Sequence, residues 1–198
     1  KKMNKIQRIT VFCGANEGFD PDFKKMAETI GATLAQNQIG VIYGGAKIGI
    51  MVAVADGSIT HGGEVIGILP HFLSVKEIAH NQLSQLIVVD TMHERKVKMY
   101  EMADGFIILP GGFGTMDELF ETLTWAQLGL HNKPIGILNF KNYYDHLIAF
   151  VRVMAAQGIL KEIYLPMILV DDNIEGLLDQ MHNYKAPNVE KWITTENT

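Results

Sequence analysis

Short apolar runs separated by longer stretches of helical periodicity constrain this chain more than any other feature. The runs are Ile9–Cys13, Gly40–Tyr43, Val65–Leu69, Gln85–Val89, Gly105–Leu109, Ile135–Leu138 and a weaker Met167–Val170. Most lack polar alternation, which is how strands covered on both faces read. Helical patterns fill the intervals: Pro21–Gln36, Gly49–His61, Met92–Ala103, Thr115–Leu128, Tyr143–Gln157 and Ile174–His182. Gly158 follows the fifth as a C-terminal cap. This βαβα rhythm predicts an α/β fold: a Rossmann-like, doubly wound, mainly parallel sheet of about seven strands, with helices on both faces in three layers.

At 198 residues the chain can bury a sizeable core, and no repeat, low-complexity tract or linker divides it. The expected organisation is a single domain over 1–198, with 1–7 as an N-terminal extension and 186–198 as a polar tail that docks Trp192 or frays. The formal net charge is −5 with no dense Lys/Arg block, so nucleic acid is not the expected partner. A small phosphorylated ligand stays open, because it needs only a local cluster of donors.

Cys13 is the one cysteine, which excludes an internal disulfide and a cysteine-rich metal site. It is expected to pack at a strand end. His61, His71, His80 and His93 match no common ligand spacing, so no catalytic metal is expected. No window approaches the ~18 apolar residues of a membrane span. The N-terminal apolar run is too short for a secretory signal. The expected location is the cytoplasm, with no membrane partner.

Ligands of doubly wound folds sit beyond the C-terminal ends of the strands. There this chain places Cys13–Gly18, Tyr43–Met51, Asp90–Met99 and Pro110–Glu118, and on that edge glycines and charges gather. Gly111, Gly112, Gly114 and Thr115 lie at a strand-to-helix turn. Such a turn exposes amide N–H groups beside the unpaired N–H groups of the first helical turn, and together they suit an anion, most often phosphate. Gly44 and Gly45 offer a second such turn. Neither has the G-x-G-x-x-G spacing of a dinucleotide site or a P-loop ending.

Glu118 falls one helical turn beyond Thr115, on the same face, and is aimed at whatever the turn holds. Asp117 points to the side and favours the helix N-terminus. Arg95 and Lys96 open the preceding helix, where cations oppose the helix dipole and so need another reason to be present. Arg95 has the planar fork that suits phosphate or carboxylate. An anion cradle beside a carboxylate and an arginine fits a 5′-phosphoribosyl N-glycoside, whose hydrolysis passes through an oxocarbenium-like state that a carboxylate stabilises.

"PGGFGTMDE", Pro110–Glu118, resembles the P-G-G-x-G-T-x-x-E motif of the LONELY GUY family of cytokinin riboside 5′-monophosphate phosphoribohydrolases, many of which carry the older label "possible lysine decarboxylase". "VFCGAN", "YGGAKIGIMVAVAD", "ERKVKMYEMADGFIILPGG" and "ETLTWAQLGLHNKPIGILN" extend the resemblance over roughly Ile9 to Asn183. The resemblance implies phosphate and ribose binding by Gly45, Gly111, Gly112, Phe113, Gly114 and Thr115, and catalysis by Arg95 and Glu118. Lys96 follows Arg95 as in the family and joins the substrate-binding set. Met92 and the "LPHFL" loop after Leu69 are expected in the base pocket. The implied substrate is a nucleoside 5′-monophosphate, AMP or an N6-substituted AMP, with no cofactor. A homodimer is also implied, with "ETLTWAQLGLH", including Trp125 and Leu128, as the candidate contact.

Three residues depart from the family pattern. Ala46 replaces a third glycine, and Ala15 and Asn16 replace paired serines; these bear on substrate choice more than on reaction type. A lysine decarboxylase would hold pyridoxal phosphate on a lysine. Lys47 is the best placed, and no acidic partner for the pyridine nitrogen is evident. The rival reading is a non-catalytic nucleotide carrier, or one of the molybdenum-cofactor type.

Overall fold

The computed structural model describes residues 4–74 and 80–188. Its strands are β1 (Arg8–Phe12), β2 (Gly40–Tyr43), β3 (Val65–Pro70), β4 (Gln85–Val89), β5 (Gly105–Ile108), β6 (Ile135–Leu138) and β7 (Ile168–Asp171). They form one seven-stranded sheet in the order β4-β3-β2-β1-β5-β6-β7, and every pairing is parallel. The helices are α1 (Asp22–Gln36), α2 (Gly49–Thr60), α3 (His71–Ser74), α4 (Met92–Met102), α5 (Phe113–Gln127), α6 (Asp145–Ala156) and α7 (Ile174–Asn183).

Alternation along the strands splits the core into two layers. Ile9, Val11, Val41, Tyr43 and Ile107 face one side, where Leu34 of α1, Val54 of α2 and Leu177 of α7 cover them. Phe12, Ile42, Phe106, Ile108 and Ile137 face the other, against Met99 of α4, Leu119 of α5 and partly buried residues of α6. Thr10, polar in an apolar strand, donates its hydroxyl to the Met99 carbonyl at 2.8 Å and ties α4 to the sheet centre. This is the three-layer arrangement expected from the sequence.

Strand positions agree with the sequence to within a residue at most ends. One inference about environment fails. β4 is not covered on both faces, for Gln85, Leu86 and Val88 are exposed. It lies at the sheet edge with β3 as its single neighbour. An apolar run reports strand propensity but not how many layers cover it.

Three short elements escaped the sequence pattern, one of them a 3₁₀ stretch at Glu162–Met167. The "LPHFL" segment is no open loop: Leu69 and Pro70 end β3, and His71, Phe72 and Leu73 begin α3. A 3₁₀ turn at Phe140–Asn142 precedes α6, and Lys141 and Asn142 take left-handed φ of 52° and 59°. This break delays α6 to Asp145 and leaves Tyr143 and Tyr144 free of the helix. α5 begins two residues early, at Phe113, which brings Gly114 into its first turn.

Of the expected N-terminal extension, Asn4 is tied to α7: its amide N–H donates to the His182 carbonyl at 2.9 Å. Trp192 and most of the polar tail lie outside the described residues. Among the described residues no helix is long and apolar enough to cross a membrane.

The chain runs outward from β1 to β4 on one side of the sheet, then returns to place β5 on the other side of β1. The loops leaving β1 and β5 therefore diverge, which opens a crevice at their C-terminal ends. The Gly14 N–H donates to the Pro110 carbonyl at 3.0 Å and joins the two loops at the base of that crevice.

Candidate functional site

The crevice is a cleft of about 440 Å³. Its walls are the Cys13–Gly18 loop, Gly44, Ile50 and Met51 of α2, Arg95 and Met99 of α4, the Pro110–Thr115 turn, Glu118 and Tyr143.

Three of the helix N-termini on this edge differ in what meets their unpaired N–H groups. α4 caps itself: the Thr91 hydroxyl accepts from the Glu94 N–H at 3.1 Å, and Glu94 Oε2 accepts from the Asp90 N–H at 2.9 Å. α2 is capped by the chain, because its Ile50 N–H donates to the Gly14 carbonyl at 3.1 Å. Gly49, at φ +58°, lets the Ala15–Asn16 backbone pack against that end, where a Cβ would collide with it. α5 has an extended cap residue, Gly112, and no side-chain cap. Its first amides lie on the cleft, where their partial positive charge is available to an anion.

Within that turn the glycines are not equivalent. A Cβ on Gly111 would strike the side chain of Thr115, which is buried. Thr115 thus packs beneath the turn. A Cβ on Gly112 or Gly114 would meet nothing within 4 Å, so both backbones are open. Phe113 stands almost fully exposed at the cleft mouth.

Arg95 is buried, at 9% exposure. Its Nε donates to the Ile68 carbonyl at 3.0 Å, and Nη1 lies 4.0 Å from Met92 Sδ. Among the described residues it makes no ion pair within 4.0 Å. A buried cation without a carboxylate partner costs stability unless something else compensates it, and an anionic ligand would. Burial lowers its pKa below the ordinary arginine range, and the charge of Glu118 opposes that shift.

Glu118 shares the cleft, and its pKa is raised to about 7. Burial is the main cause; Arg95 and Lys96 pull it down, and Asp117 and Glu121 push it up. A carboxyl poised near neutrality in a cleft is a mark of a functional acid or base. The Cys13 thiol lies in the same wall, and burial pushes its pKa well up, so it remains a protonated packing group.

The structure therefore brings Arg95, Gly111, Gly112, Phe113, Gly114, Thr115 and Glu118 around one cleft. Lys96 is placed differently from the expectation. Its Nζ lies 3.1 Å from both Asp117 Oδ2 and Glu121 Oε1, so it bridges α4 to α5 beside the cleft. That also revises Asp117, which pairs with Lys96 and lies beyond the first helical turn. Met92 is half-exposed against Arg95 and does not line the cleft.

The largest revision concerns Gly45. It takes φ +74° and packs against Ile68, Leu69 and Leu86, away from the cleft. Gly44 is the glycine that faces the site: a Cβ there would strike Arg95 Nη2. Sequence alone locates a Gly-Gly turn but not which member turns inward. Tyr143 was also missed, because the helical pattern assigns it to α6.

The sequence matches the family model described as "Possible lysine decarboxylase" over residues 51–181. It is 41% identical over 171 residues to the cytokinin riboside 5′-monophosphate phosphoribohydrolase of Rhodococcoides fascians, covering 86% of each chain. A protein of the same description from Arabidopsis thaliana is 37% identical over 183 residues, covering 92% of this chain and 84% of its own. Among solved structures, a molybdenum cofactor binding protein from Rippkaea orientalis superposes with TM-score 0.69 at 20% identity, over 90% of this chain and 97% of its own. A molybdenum cofactor carrier protein from Chlamydomonas reinhardtii gives TM-score 0.65 at 17% identity, over 88% and 95%. These two likenesses establish the fold alone.

Proposed function

The chain belongs to the LONELY GUY family, whose model bears the description "possible lysine decarboxylase", and on that premise we propose that it is a phosphoribohydrolase. It hydrolyses the N-glycosidic bond of a nucleoside 5′-monophosphate, AMP or an N6-substituted AMP, to the free base and ribose 5-phosphate. One observation carries the reading: the N-terminus of α5 without a cap among the described residues, Arg95 without an ion-pair partner among them, and Glu118 with its pKa raised to about 7 share a single cleft.

In this mechanism the Gly112–Thr115 amides take the substrate phosphate, and that remote binding positions the anomeric carbon over Glu118. The bond from the anomeric carbon to the base nitrogen breaks with its electron pair leaving on the nitrogen. Positive charge spreads over the sugar carbon and ring oxygen, and the ionised Glu118 stabilises it. Water then adds to the anomeric carbon; the proton it loses goes to Glu118 or solvent, and the base takes up one proton. Arg95 supplies charge that favours ionised Glu118 and attracts an anion into the cleft they share. Lys96 holds Asp117 and Glu121 beside Glu118.

The description of the family names a different chemistry, and the residues present do not fit its cofactor. Among the described residues no lysine lines the cleft, and Lys47 is exposed beside the Gly44–Gly45 turn, so none of them places an amine to hold pyridoxal phosphate. The proposal also includes a cytoplasmic location and a homodimer formed over α5. Phe120 and Leu130, exposed near half-buried Trp125 and Leu128, support that contact.

The test is incubation with AMP and with N6-isopentenyl-AMP, followed by chromatography. Equimolar base and ribose 5-phosphate, lost in Glu118→Ala, are expected. Tight binding without turnover at high protein concentration would instead favour the carrier reading.

A further inference from the structure

The peptide between Gly111 and Gly112 has no side chain on either flank to fix its orientation, yet the anion site depends on it. Its carbonyl accepts a hydrogen bond from the Tyr143 hydroxyl at 2.8 Å. A trans peptide points its N–H opposite to its C=O, so this bond commits the Gly112 N–H to the side away from Tyr143. Gly112 is the cap residue of α5, and its N–H has no acceptor within the helix. Tyr143 itself is 46% exposed and lines the cleft.

Tyr143 is held from several directions. Its ring meets Phe23 edge-on at 5.9 Å and Tyr144 at 4.9 Å. Just upstream, Lys141 Nζ lies 2.7 Å from both Asp20 and Asp22, which ties the segment to the start of α1. On the other side, the Asn139 N–H donates to the Asp171 carbonyl at 2.7 Å. The adjacent Tyr144 provides a comparison, since its hydroxyl meets the Gly111 N–H on the core side of the same turn. It makes the same kind of bond, hydroxyl to the Leu109 carbonyl at 2.7 Å, but at 2% exposure and at the end of β5 within the core.

We propose that Tyr143 is a positioning residue that sets the Gly111–Gly112 peptide so that the α5 turn presents its amide to the substrate phosphate. The inference rests on the phosphoribohydrolase reading for the identity of the anion. Tyr144 supports the end of β5 from within the core, its hydroxyl meeting the Leu109 carbonyl and the Gly111 N–H.

Tyr143→Phe and Tyr144→Phe separate the two roles. For Tyr143→Phe, KM for AMP and Kd for ribose 5-phosphate are expected to rise roughly 5- to 20-fold, the effect of losing about one well-placed hydrogen bond. Its kcat stays within about 2-fold and its Tm is unchanged, because a half-exposed bond adds little stability. In the ligand-free protein the ¹⁵N–¹H resonance of Gly112 shifts, which direct contact between Tyr143 and phosphate would not produce. Tyr144→Phe lowers Tm, and its rise in KM and Kd is smaller than that of Tyr143→Phe. An unchanged Kd, an unmoved Gly112 resonance, or a parallel fall of Tm and affinity in Tyr143→Phe would overturn the inference. Failure of the wild type to turn over AMP would count against the hydrolase reading, while the ribose 5-phosphate affinities still decide the role of Tyr143.

Discussion

Two Gly-Gly turns follow β2 and β5, the strands on either side of β1, on the same edge of this sheet, and they serve opposite ends. At Gly44–Gly45, after β2, the missing side chains make room for protein: Gly45 for the β3 backbone and Leu69, Gly44 for the Arg95 guanidinium. The helix that follows, α2, has its N-terminus met by the Gly14 carbonyl. At Gly111–Gly112, after β5, the first glycine seats Thr115, and the second leaves backbone open to the cleft. α5 has no such cap. Glycine content is therefore a poor guide to anion binding. What distinguishes the two turns is whether another part of the chain already satisfies the helix N-terminus.

The largest effect is expected where the open turn meets its carboxylate. Glu118→Gln should lower kcat for AMP by about 10³-fold or more, since it removes the charge that opposes the developing cation. Single-turnover release of adenine measures it directly.

The Gly44–Gly45 turn should separate by property. Gly44→Ala displaces Arg95 and is expected to cost on the order of 10²-fold in kcat/KM with a small change in Tm, read from steady-state kinetics and calorimetry. Gly45→Ala forces a side chain to φ +74° and against β3. It should lower Tm by several degrees, at roughly 1–2 kcal/mol, while the protein that remains folded keeps its KM.

A smaller effect follows from the charge around Glu118. If the ionised form is active, kcat/KM rises with pH through about 7 and then levels. Lys96→Met removes a charge that holds that pKa down, so its profile should move to higher pH, with a few-fold loss at pH 7 recovered near pH 9. Stability moves the other way. A carboxyl raised from 4.5 to about 7 binds more protons folded than unfolded across that window, so its contribution falls as pH rises. Glu118→Gln should accordingly show a higher Tm than wild type at pH 8, with the gap closing by pH 5.

The smallest effect is expected at Gly114. A Cβ there meets nothing within 4 Å, so Gly114→Ala should stay within about 3-fold of wild-type kcat/KM and gain slightly in stability from helix propensity. A large loss would mean that the ligand backs directly onto that carbon, which would sharpen the position of the phosphate.

Much of this was legible in the sequence, for reasons particular residues make plain. Uninterrupted apolar runs such as Ile135–Leu138 locate strands, and their alternation with helical stretches predicts a doubly wound parallel sheet, while the order that puts the crevice beyond β1 and β5 is seen only in the structure. The spacing of Thr115 and Glu118 placed both on one face of α5. What escaped depends on contacts between distant segments. Neither the inward turn of Gly44, set by Arg95, nor the pairing of Lys96 with α5 leaves a periodic trace. Tyr143 was hidden because the helical pattern runs from it into α6, whereas the left-handed pair at Lys141 and Asn142 just before it holds it outside the helix. The exposure of β4 follows from its place at the sheet edge.

The most direct test is a crystal structure of Glu118→Gln, which should bind without turning over, in complex with AMP. The phosphate should lie on the Gly112–Thr115 amides with the anomeric carbon beside the residue 118 side chain. A phosphate seated instead at Gly44–Gly49, or a sugar facing away from residue 118, would contradict the division of labour between the two turns and the chemistry built on it.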